Sequence, residues 1–419
     1  MRGRARGDLE RRRPLNPYDV GMTAEGDEHA RVTPIYHLIT PGDHFSPRTG
    51  SAIPTVVHGL ATGARAEGDA GRYPQHVVVQ DDTYVPRYES ATPVGYVGQR
   101  APGSRARLAD AALARLGMPR RSAVAYFRPA TESLRDRPPG VVLAHNAPVV
   151  PWLLRDQQHD TVLYAHNDVL RSYSRAEASR VLGDVGRIVS VSDSLAAQLR
   201  EHLPRSLHER VRTVVNGVDA EQFVPVPIRS PGPLRVMFLG RAIPEKGADI
   251  LLEAAALIDR SDLEFVVVGS HGFDPAAVLS EYEQRLRLLA DRARGTVRFE
   301  PFVERSRLPA LVQRADILVI PSRWPDPCPL TVGEGMAAGL PIVAARSGGI
   351  PELLGDAGVL FDPARPQELA DAIAGLASDP GLRNRYGTAA RARAVERDWA
   401  WAWRHLAEVI DEFHVVRAP

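Results

Sequence analysis

Short apolar runs alternate with longer amphipathic stretches through the first half of the chain. The apolar runs have the length of strands and read PIYHLIT at 34–40, HVVVQ at 76–80, GVVLAH at 140–145, TVLYAH at 161–166 and RIVSVS at 187–192. The stretch SDSLAAQLREHL at 192–203 has helical periodicity and a capping residue at Ser192 or Asp193. This alternation of strands and helices predicts a parallel sheet covered by helices.

The second half repeats the alternation with cleaner boundaries. Its predicted strands are LRVMFLG at 234–240, EFVVVG at 264–269, VRFEPF at 297–302, ILVIPS at 317–322 and PIVAA at 341–345. Its predicted helices are ADILLEAAALIDR at 248–260, EYEQRLRLLADRA at 281–293, RLPALVQR at 307–314 and VGEGMAAG at 332–339. The expected fold class is therefore α/β, with two Rossmann-like doubly wound domains that face each other across a cleft.

A proline-rich segment separates the two halves and sets the predicted domain boundaries. Residues 224–234 contain four prolines and one glycine in eleven positions, a composition typical of linkers. We therefore expect an amino-terminal domain over 31–223 and a carboxy-terminal domain over 235–398. A tryptophan-rich amphipathic stretch at about 399–416 predicts a helix that packs back on the amino-terminal domain. Residues 1–30 carry many arginines without apolar periodicity and are expected to form a disordered basic tail, to which no function is assigned.

The composition narrows the classes of function. Of 419 residues, 44% are apolar and 25% are charged, which is an ordinary globular profile. A net charge of +1 argues against a nucleic-acid binder, whose surface needs a strong basic excess. The longest apolar runs have strand length, so no transmembrane span is expected, although docking at a membrane surface stays open. A single cysteine, Cys328, and the lack of an apolar leader favour a cytoplasmic location.

The chain has one lysine among 52 basic residues, and this lysine lies in a segment suited to holding an anion. Lys246 and Arg241 lie between a predicted strand and the start of a predicted helix. Backbone amides and the dipole at a helix start favour negative charge, and an ammonium group adds a compact donor of hydrogen bonds. The segment therefore predicts a clamp for a diphosphate leaving group. The alternative is a pair of surface cations near a helix start.

A second segment places two carboxylates eight positions apart between a strand and a helix. Asp326 lies in a proline-rich loop, and Glu334 lies in the helix that starts at about Leu330. The amides of Leu330 and Thr331 can hold phosphate or sugar oxygens, and a helix carboxylate can accept two vicinal hydroxyl groups, as on a ribose. The alternative is a turn residue and a helix residue favoured by the dipole. Glycines within 333–338 also fit a dinucleotide fingerprint, but the long loop before them argues against a nicotinamide enzyme.

Several ordered motifs together resemble the retaining nucleotide-sugar glycosyltransferases of family 4. These are VVNGVDAEQF at 214–223, GRAIPEKGADILLEAA at 240–255, the carboxylate pair, and GLPIVAARSGGIPEL at 339–353. The resemblance covers about 33–416 and implies the GT-B fold. It implies that Arg241 and Lys246 bind the donor diphosphate. It also implies that Glu334 holds the ribose hydroxyls and that Asp326 meets hydroxyls of the donor sugar.

Two positions of the acidic segment depart from the family pattern. Asp326 stands where the family has a glutamate, so its side chain is one methylene shorter. Pro329 lacks the backbone donor of a loop that the family uses to bind the donor. By the same resemblance, Leu330 and Thr331 belong to the donor-binding loop.

The resemblance assigns further site residues outside these two segments. Gly50 and Ser51 resemble the glycine-rich loop over the diphosphate, and His166 resembles the active-site histidine near the transferred sugar. Phe302 and Val303 match a position that lies against the nucleobase.

One further pair of residues follows a predicted strand of the amino-terminal domain. His145 and Asn146 come directly after GVVLA, at the end of that strand. Their position makes them candidates for the acceptor side of the site.

Retaining enzymes of this family are thought to work without a clear protein nucleophile, with the acceptor attacking on the face from which the diphosphate leaves. No Asp-x-Asp triplet occurs in the sequence, and two cations at the diphosphate make a metal unnecessary. The resemblance therefore predicts a metal-independent hexosyltransferase that takes its sugar from a nucleotide-sugar, with UDP the more common carrier, and needs no other cofactor. The acceptor stays open among secondary metabolites, lipid carriers and cell-surface glycans.

Rival activities share the expected architecture. A sugar-nucleotide epimerase of the GT-B fold would convert the donor alone, and a non-catalytic subunit would bind a sugar nucleotide without turnover. A glycogen-type phosphorylase would need pyridoxal phosphate on a lysine, for which Lys246 is the sole candidate.

Overall fold

A computed structural model describes residues 32–99, 103, 110, 113–226, 232–274 and 276–414 of the chain. The basic tail expected over 1–30 lies outside the described residues. The same is true of 227–231, the central part of the predicted linker.

The amino-terminal domain is built on seven parallel strands in the order β3-β2-β1-β4-β5-β6-β7. The strands are β1 Ile35–Leu38, β2 Gln75–Gln80, β3 Thr92–Tyr96, β4 Val141–His145, β5 Asp160–Ala165, β6 Arg187–Ser190 and β7 Val211–Thr213. Every position of β1 and β4 is buried, because helices cover both faces of a parallel sheet. All five predicted strands are present, and β3 and β7 add an edge strand on either side.

Helices follow these strands in the order that a doubly wound domain requires. They are α1 Ala52–Ala66, α2 Arg121–Glu132, α3 Val150–Leu154, α4 Arg175–Leu182 and α5 Asp193–His202, with a 3-10 helix at Arg205–Arg210. The Ser192 side chain accepts a hydrogen bond from the backbone of Leu195 and so caps α5, one of the two caps that the sequence predicts.

The carboxy-terminal domain has six parallel strands in the order β10-β9-β8-β11-β12-β13. The strands are β8 Leu234–Leu239, β9 Leu263–Val268, β10 Thr296–Glu300, β11 Ile317–Ile320, β12 Ile342–Ala345 and β13 Val359–Phe361. Its helices are α6 Ala248–Leu257, α7 Glu281–Ala290, α8 Leu308–Val312, α9 Leu330–Ala337, α10 Ile350–Leu354, α11 Pro366–Ser378 and α12 Pro380–Val395, with 3-10 helices at Pro244–Lys246 and Arg305–Arg307. Two Rossmann-like domains with parallel sheets therefore confirm the predicted fold class.

The last described helix, α13 Trp399–His414, packs against α1 of the amino-terminal domain. Trp403 is fully buried in this contact, and its Nε1 donates a hydrogen bond to Asp69 Oδ2 at 2.8 Å. Val218, at the end of the amino-terminal domain, forms an isolated parallel bridge with Asp398. The segment that leaves the amino-terminal domain after Val218 and the segment that returns to it before α13 therefore lie side by side. Within the described ranges, no helix combines the length and the apolar character needed to cross a membrane.

Candidate functional site

A cavity of about 430 Å³ lies between the two domains, where loops follow the strands of both sheets. Eleven of the thirteen residues singled out from the sequence line it: Gly50, Ser51, His166, Arg241, Lys246, Phe302, Val303, Asp326, Leu330, Thr331 and Glu334. His145 and Asn146 do not belong to its lining. Residues that lie far apart in the sequence therefore meet in one place.

The lysine corner of the cavity is built on a sharp turn before α6. Lys246 ends the 3-10 helix Pro244–Lys246, and Gly247 follows with φ of +73°. A Cβ at Gly247 would come within 2.0 Å of the Pro321 carbonyl oxygen, so both the backbone angle and the close approach require glycine. The turn brings Lys246 Nζ into an ion pair with Asp326 Oδ2. The two predicted donor-binding segments are thus joined at their charged residues.

The Lys246–Asp326 pair is only partly shielded from solvent. The Lys246 side chain is 33% exposed and that of Asp326 is 12% exposed. Arg241 is a second cation of the cavity lining, and its Nε and Nη2 donate to the His271 carbonyl oxygen at 3.3 and 3.1 Å. Arg241 and Lys246 outnumber the Asp326 carboxylate in these two segments of the lining, and this excess of positive charge favours an anion.

Glu334 carries a buried carboxylate on α9. The residue is 1% exposed, and its Oε1 forms an ion pair with Arg305 Nη1. Its other oxygen, Oε2, has no hydrogen-bond partner among the described residues. A buried carboxylate oxygen without a partner is costly, so it marks a position where a ligand can donate a hydrogen bond.

Arg305, which the sequence analysis missed, connects the domains at the cavity. Its backbone N donates to the Pro47 carbonyl oxygen at 3.1 Å, and its guanidinium group pairs with Glu334. The first contact reaches the loop before α1, and the second reaches α9. One arginine therefore holds the Glu334 carboxylate in place and ties the two sides of the cleft together.

An aromatic pair lines the cavity near the loop that ends at Gly50. The rings of Phe273 and Phe302 have centroids 5.4 Å apart and planes inclined at 59°. A Cβ at Gly50 would lie 3.2 Å from both rings, which is tighter than most such contacts. A side chain at position 50 would displace the rings, so the glycine lets the loop approach them closely. Phe273 is a further lining residue that the sequence analysis missed.

Asn216, within the motif at 214–223, is a further site residue that the sequence analysis missed. It lines the cavity, and its Nδ2 donates to the Cys328 carbonyl oxygen at 3.4 Å. Its Oδ1 has no hydrogen-bond partner in the described part of the chain. The Cys328 side chain is buried, and burial raises the pKa of its thiol to about 12, so the thiol is neutral and unreactive.

The histidine assigned to the active site is buried at the edge of the cavity. His166 is 8% exposed, and its backbone N donates to Asn146 Oδ1 at 2.7 Å. Burial lowers the pKa of His166 to about 3, so its imidazole is neutral. His145 has no exposed surface and lies against His166, with its Nδ1 2.7 Å from His166 Nε2. Burial therefore argues against the predicted contact of His145 with an acceptor. His145 and Asn146 instead both contact His166.

The acidic and histidine side chains near the cavity do not gather around a common point. Across the described ranges there is no group of three or more histidine, cysteine, aspartate or glutamate residues arranged to hold a metal ion.

Two parallel-sheet Rossmann-like domains around a cleft define the GT-B class of fold. The whole fold is similar to that of HepE from Anabaena, solved in complex with UDP-glucose, with 19% identity and a TM-score of 0.67 over 90% of this chain and 99% of that one. It is also similar to sucrose-phosphate synthase from Thermosynechococcus elongatus, with 18% identity and a TM-score of 0.71 over 92% of this chain and 100% of that one. At these identities the likeness concerns the fold.

Sequence similarity identifies the family. Residues 219–393 match the family described as glycosyl transferases group 1. The chain is 31% identical to spore coat protein SA of Bacillus subtilis over 278 residues, which is 61% of this chain and 72% of that protein. It is 30% identical to a D-inositol 3-phosphate glycosyltransferase of Corynebacterium glutamicum over 63% of this chain and 69% of that enzyme. The protein therefore belongs to the glycosyl transferases of group 1.

Proposed function

We propose that this protein is a retaining hexosyltransferase of family 4 that moves a sugar from a UDP-sugar to a hydroxyl group of an acceptor. The observation that carries the proposal is the charge arrangement in the cavity. The lining carries three cations, Arg241, Lys246 and Arg305, against the two carboxylates Asp326 and Glu334, and Glu334 offers a buried oxygen that has no partner among the described residues. A nucleoside diphosphate sugar fits both features, because it carries an anionic diphosphate and hydroxyl groups that donate hydrogen bonds.

The diphosphate of the donor is assigned to the side of Arg241 and Lys246. The start of α9 adds backbone amides at Leu330 and Thr331, which line the same cavity. Gly50 and Ser51 also line the cavity, and the family resemblance assigns their loop to the diphosphate. Ser51 is held in place because its Oγ donates to Asp43 Oδ2 at 3.1 Å.

The nucleoside is assigned to the side of Glu334 and the aromatic pair. Glu334 Oε2 accepts a hydrogen bond from a ribose hydroxyl, while Arg305 holds the other carboxylate oxygen. Phe302, with Val303 and Phe273, provides the apolar wall against which a base can lie. The UDP-glucose that the HepE structure contains supports a uridine nucleotide as donor.

The transferred sugar is assigned to the space near Asp326 and His166, which both line the cavity. Lys246 orients the Asp326 carboxylate by pairing with Oδ2, so the other carboxylate oxygen can accept a hydrogen bond from a sugar hydroxyl. The shorter side chain of aspartate leaves more room there than glutamate would, so the position is expected to influence which sugar is accepted.

The chemical contribution of these residues is stabilisation of the leaving group. As the bond between the anomeric carbon and the diphosphate breaks, negative charge grows on the phosphate oxygens beside Lys246 and Arg241. The acceptor hydroxyl attacks the anomeric carbon from the face on which the diphosphate leaves and passes its proton to a departing phosphate oxygen, which retains the anomeric configuration without a protein nucleophile. We assign to the two cations the electrostatic role that a metal ion has in other transferases, so no metal is required.

The proposal is tested by a transfer assay with purified protein. UDP-, GDP- and ADP-sugars are incubated with a panel of hydroxyl acceptors, with and without EDTA, and nucleotide release and product configuration are measured. We expect UDP release that depends on an acceptor, an α-linked product from an α-linked donor, and no effect of EDTA. An inverted product or full inhibition by EDTA would contradict the mechanism, and conversion of the donor alone would identify an epimerase.

A further inference from the structure

Three buried histidines of the amino-terminal domain form one hydrogen-bonded chain that ends at the cavity. His37 lies on β1, His145 ends β4 and His166 follows β5, and these three strands are neighbours in the sheet. His37 Nδ1 is 3.0 Å from His145 Nε2, and His145 Nδ1 is 2.7 Å from His166 Nε2. The ring planes are inclined by only 22° and 14°, with centroids 5.3 and 5.1 Å apart, so the rings lie edge to edge as hydrogen bonds between ring nitrogens require. The chain therefore runs across three strands, from the interior of the sheet to the candidate active site.

Gln75, on β2, fixes the direction in which the hydrogen bonds between the three histidines are donated. Its Nε2 donates to the Tyr73 carbonyl oxygen at 2.8 Å, and a backbone carbonyl oxygen can only accept. The side-chain oxygen of Gln75 must therefore face His37 Nε2, which is 2.9 Å away. Because an amide oxygen is also only an acceptor, the proton of His37 must be on Nε2.

The direction of donation at His37 determines the direction at His145 and His166, because each imidazole is neutral. Burial lowers the pKa of His37 to about 4 and the pKa of His145 well below its usual range, so each ring has one donor and one acceptor. With its proton on Nε2, His37 accepts at Nδ1, and His145 must donate from Nε2. His145 then accepts at Nδ1, and His166 must donate from Nε2. The unprotonated nitrogen of His166 is therefore Nδ1.

His166 Nδ1 is the end of the chain that a substrate can reach. His166 lines the cavity, and its Nδ1 has no hydrogen-bond partner among the residues that the structure describes. The ring is held on one side by Tyr164, whose ring centroid is 4.8 Å away with the planes inclined at 11°. Its backbone is held by Asn146.

We propose that Gln75, His37 and His145 are positioning residues that fix the tautomer of His166, so that Nδ1 accepts a hydrogen bond from a hydroxyl group of the bound sugar or acceptor. The inference rests on the proposed function for the identity of that hydroxyl group. It deepens the proposed function by assigning His166 a single role, that of a hydrogen-bond acceptor. A hydroxyl at this position is bound, whereas a carbonyl or an ether oxygen at the same position would face a lone pair and be rejected.

The chain does not provide a path for protons to leave the site. A proton taken up at His166 Nδ1 could pass through His145 to His37, but the next group is the amide of Gln75. A carboxamide does not hold a proton at neutral pH. Orientation of His166, rather than export of a proton, is therefore the role that the chain can perform.

The inference is tested by reading the tautomer directly. Protein labelled with ¹⁵N in its histidines is examined by long-range ¹H–¹⁵N correlation, which distinguishes protonated from unprotonated ring nitrogens. The His166 signal is assigned from its loss in His166→Gln. We expect an unprotonated Nδ1 and a protonated Nε2 in the wild type, and a mixture of tautomers in Gln75→Leu. A wild-type His166 with its proton on Nδ1 would overturn the inference.

Matched variants separate direction from packing. His145→Gln keeps an acceptor toward His166 and a donor toward His37, whereas His145→Leu removes both. His159→Gln is the control, because His159 is also buried but bonds to the Leu134 carbonyl oxygen, outside the chain. We expect the wild-type tautomer in the control and in His145→Gln, and its loss in His145→Leu. A retained tautomer in His145→Leu would contradict the argument.

Kinetics then connect the tautomer with the reaction. In Gln75→Leu we expect kcat for sugar transfer to fall roughly tenfold, which corresponds to one hydrogen bond, with little change in the KM for the donor. His145→Gln should restore most of the rate that His145→Leu loses. A changed tautomer without any change in kcat would overturn the positioning role. Because the spectra need no substrate, a wild type with the expected tautomer but no transfer would refute the proposed function and leave the chain of histidines standing.

Discussion

Removal of the Lys246 ammonium group tests the electrostatic basis of the site. In Lys246→Ala the cavity loses one of its two cations, and the Asp326 carboxylate loses its ion-pair partner. The bound diphosphate then loses an attractive partner and faces an uncompensated negative charge. Loss of one preorganised donor of this kind typically costs about 10²- to 10³-fold in rate, and the extra repulsion acts in the same direction.

The effect on folding is expected to be much smaller than the effect on turnover. Lys246 is one-third exposed, and ion pairs accessible to solvent contribute about 0–1 kcal/mol to the free energy of unfolding. We therefore expect Lys246→Ala to unfold within a few degrees of the wild type, while kcat/KM falls by at least about 100-fold. Nucleotide release in the transfer assay and a thermal unfolding curve on the same sample measure the two effects.

Two further variants sharpen the interpretation. Lys246→Ala combined with Asp326→Asn removes the repulsive charge, so the double variant should bind the donor more tightly than Lys246→Ala alone. Arg385→Ala is a matched control, because Arg385 is a surface cation of the same domain that does not line the cavity. Turnover of Lys246→Ala within about threefold of the wild type, or an equal loss in the control, would refute the clamp.

Three other predictions concern separate parts of the structure. Glu334→Gln should weaken binding of UDP by about tenfold or more, as expected for loss of a hydrogen bond to a charged group. Binding of 2′,3′-dideoxy-UDP, which lacks the ribose hydroxyls, should not change. Calorimetry measures both affinities, and equal losses for the two ligands would contradict the ribose assignment. Burial raises the pKa of Cys328 from 9 to about 12. At pH 8 the thiol of the folded protein should therefore react with a disulfide reagent roughly a thousandfold more slowly than the thiol of the protein unfolded in guanidinium. Comparable rates in the two states would show an accessible thiolate. Trp403→Ala should lower the free energy of unfolding by about 3–5 kcal/mol in urea denaturation, because the side chain is fully buried between α13 and the amino-terminal domain. A loss below about 1 kcal/mol would mean that this contact is not needed.

Local pattern was sufficient to predict most of the fold. The buried parallel strands are continuous apolar runs, and Ser192 caps the helix that its sequence predicts. Three strands were missed. β3 contains Pro93 and Gly95, which are typical of turns, while β7 and β13 have three residues each and are too short for a periodic signal.

The site was predictable where its residues lie in segments with their own chemistry. Lys246 lies directly before α6 and Glu334 lies within α9, where their roles can be inferred from neighbours in the sequence. Arg305 was missed because its partner, Glu334, is 29 residues away on another element. His37 was missed for the same reason, since its contact with His145 spans 108 residues. Such pairs follow from the order of strands in the sheet and not from spacing in the sequence.

Calorimetric titration with UDP-, GDP- and ADP-sugars tests the central claim most directly, which is that the cleft binds a nucleotide-sugar donor. We expect that one of these sugar nucleotides, a UDP-sugar, binds the wild type in the presence of EDTA, and that Lys246→Ala weakens this binding while Arg385→Ala does not. Absence of binding by every sugar nucleotide, in a protein that unfolds cooperatively, would contradict the account.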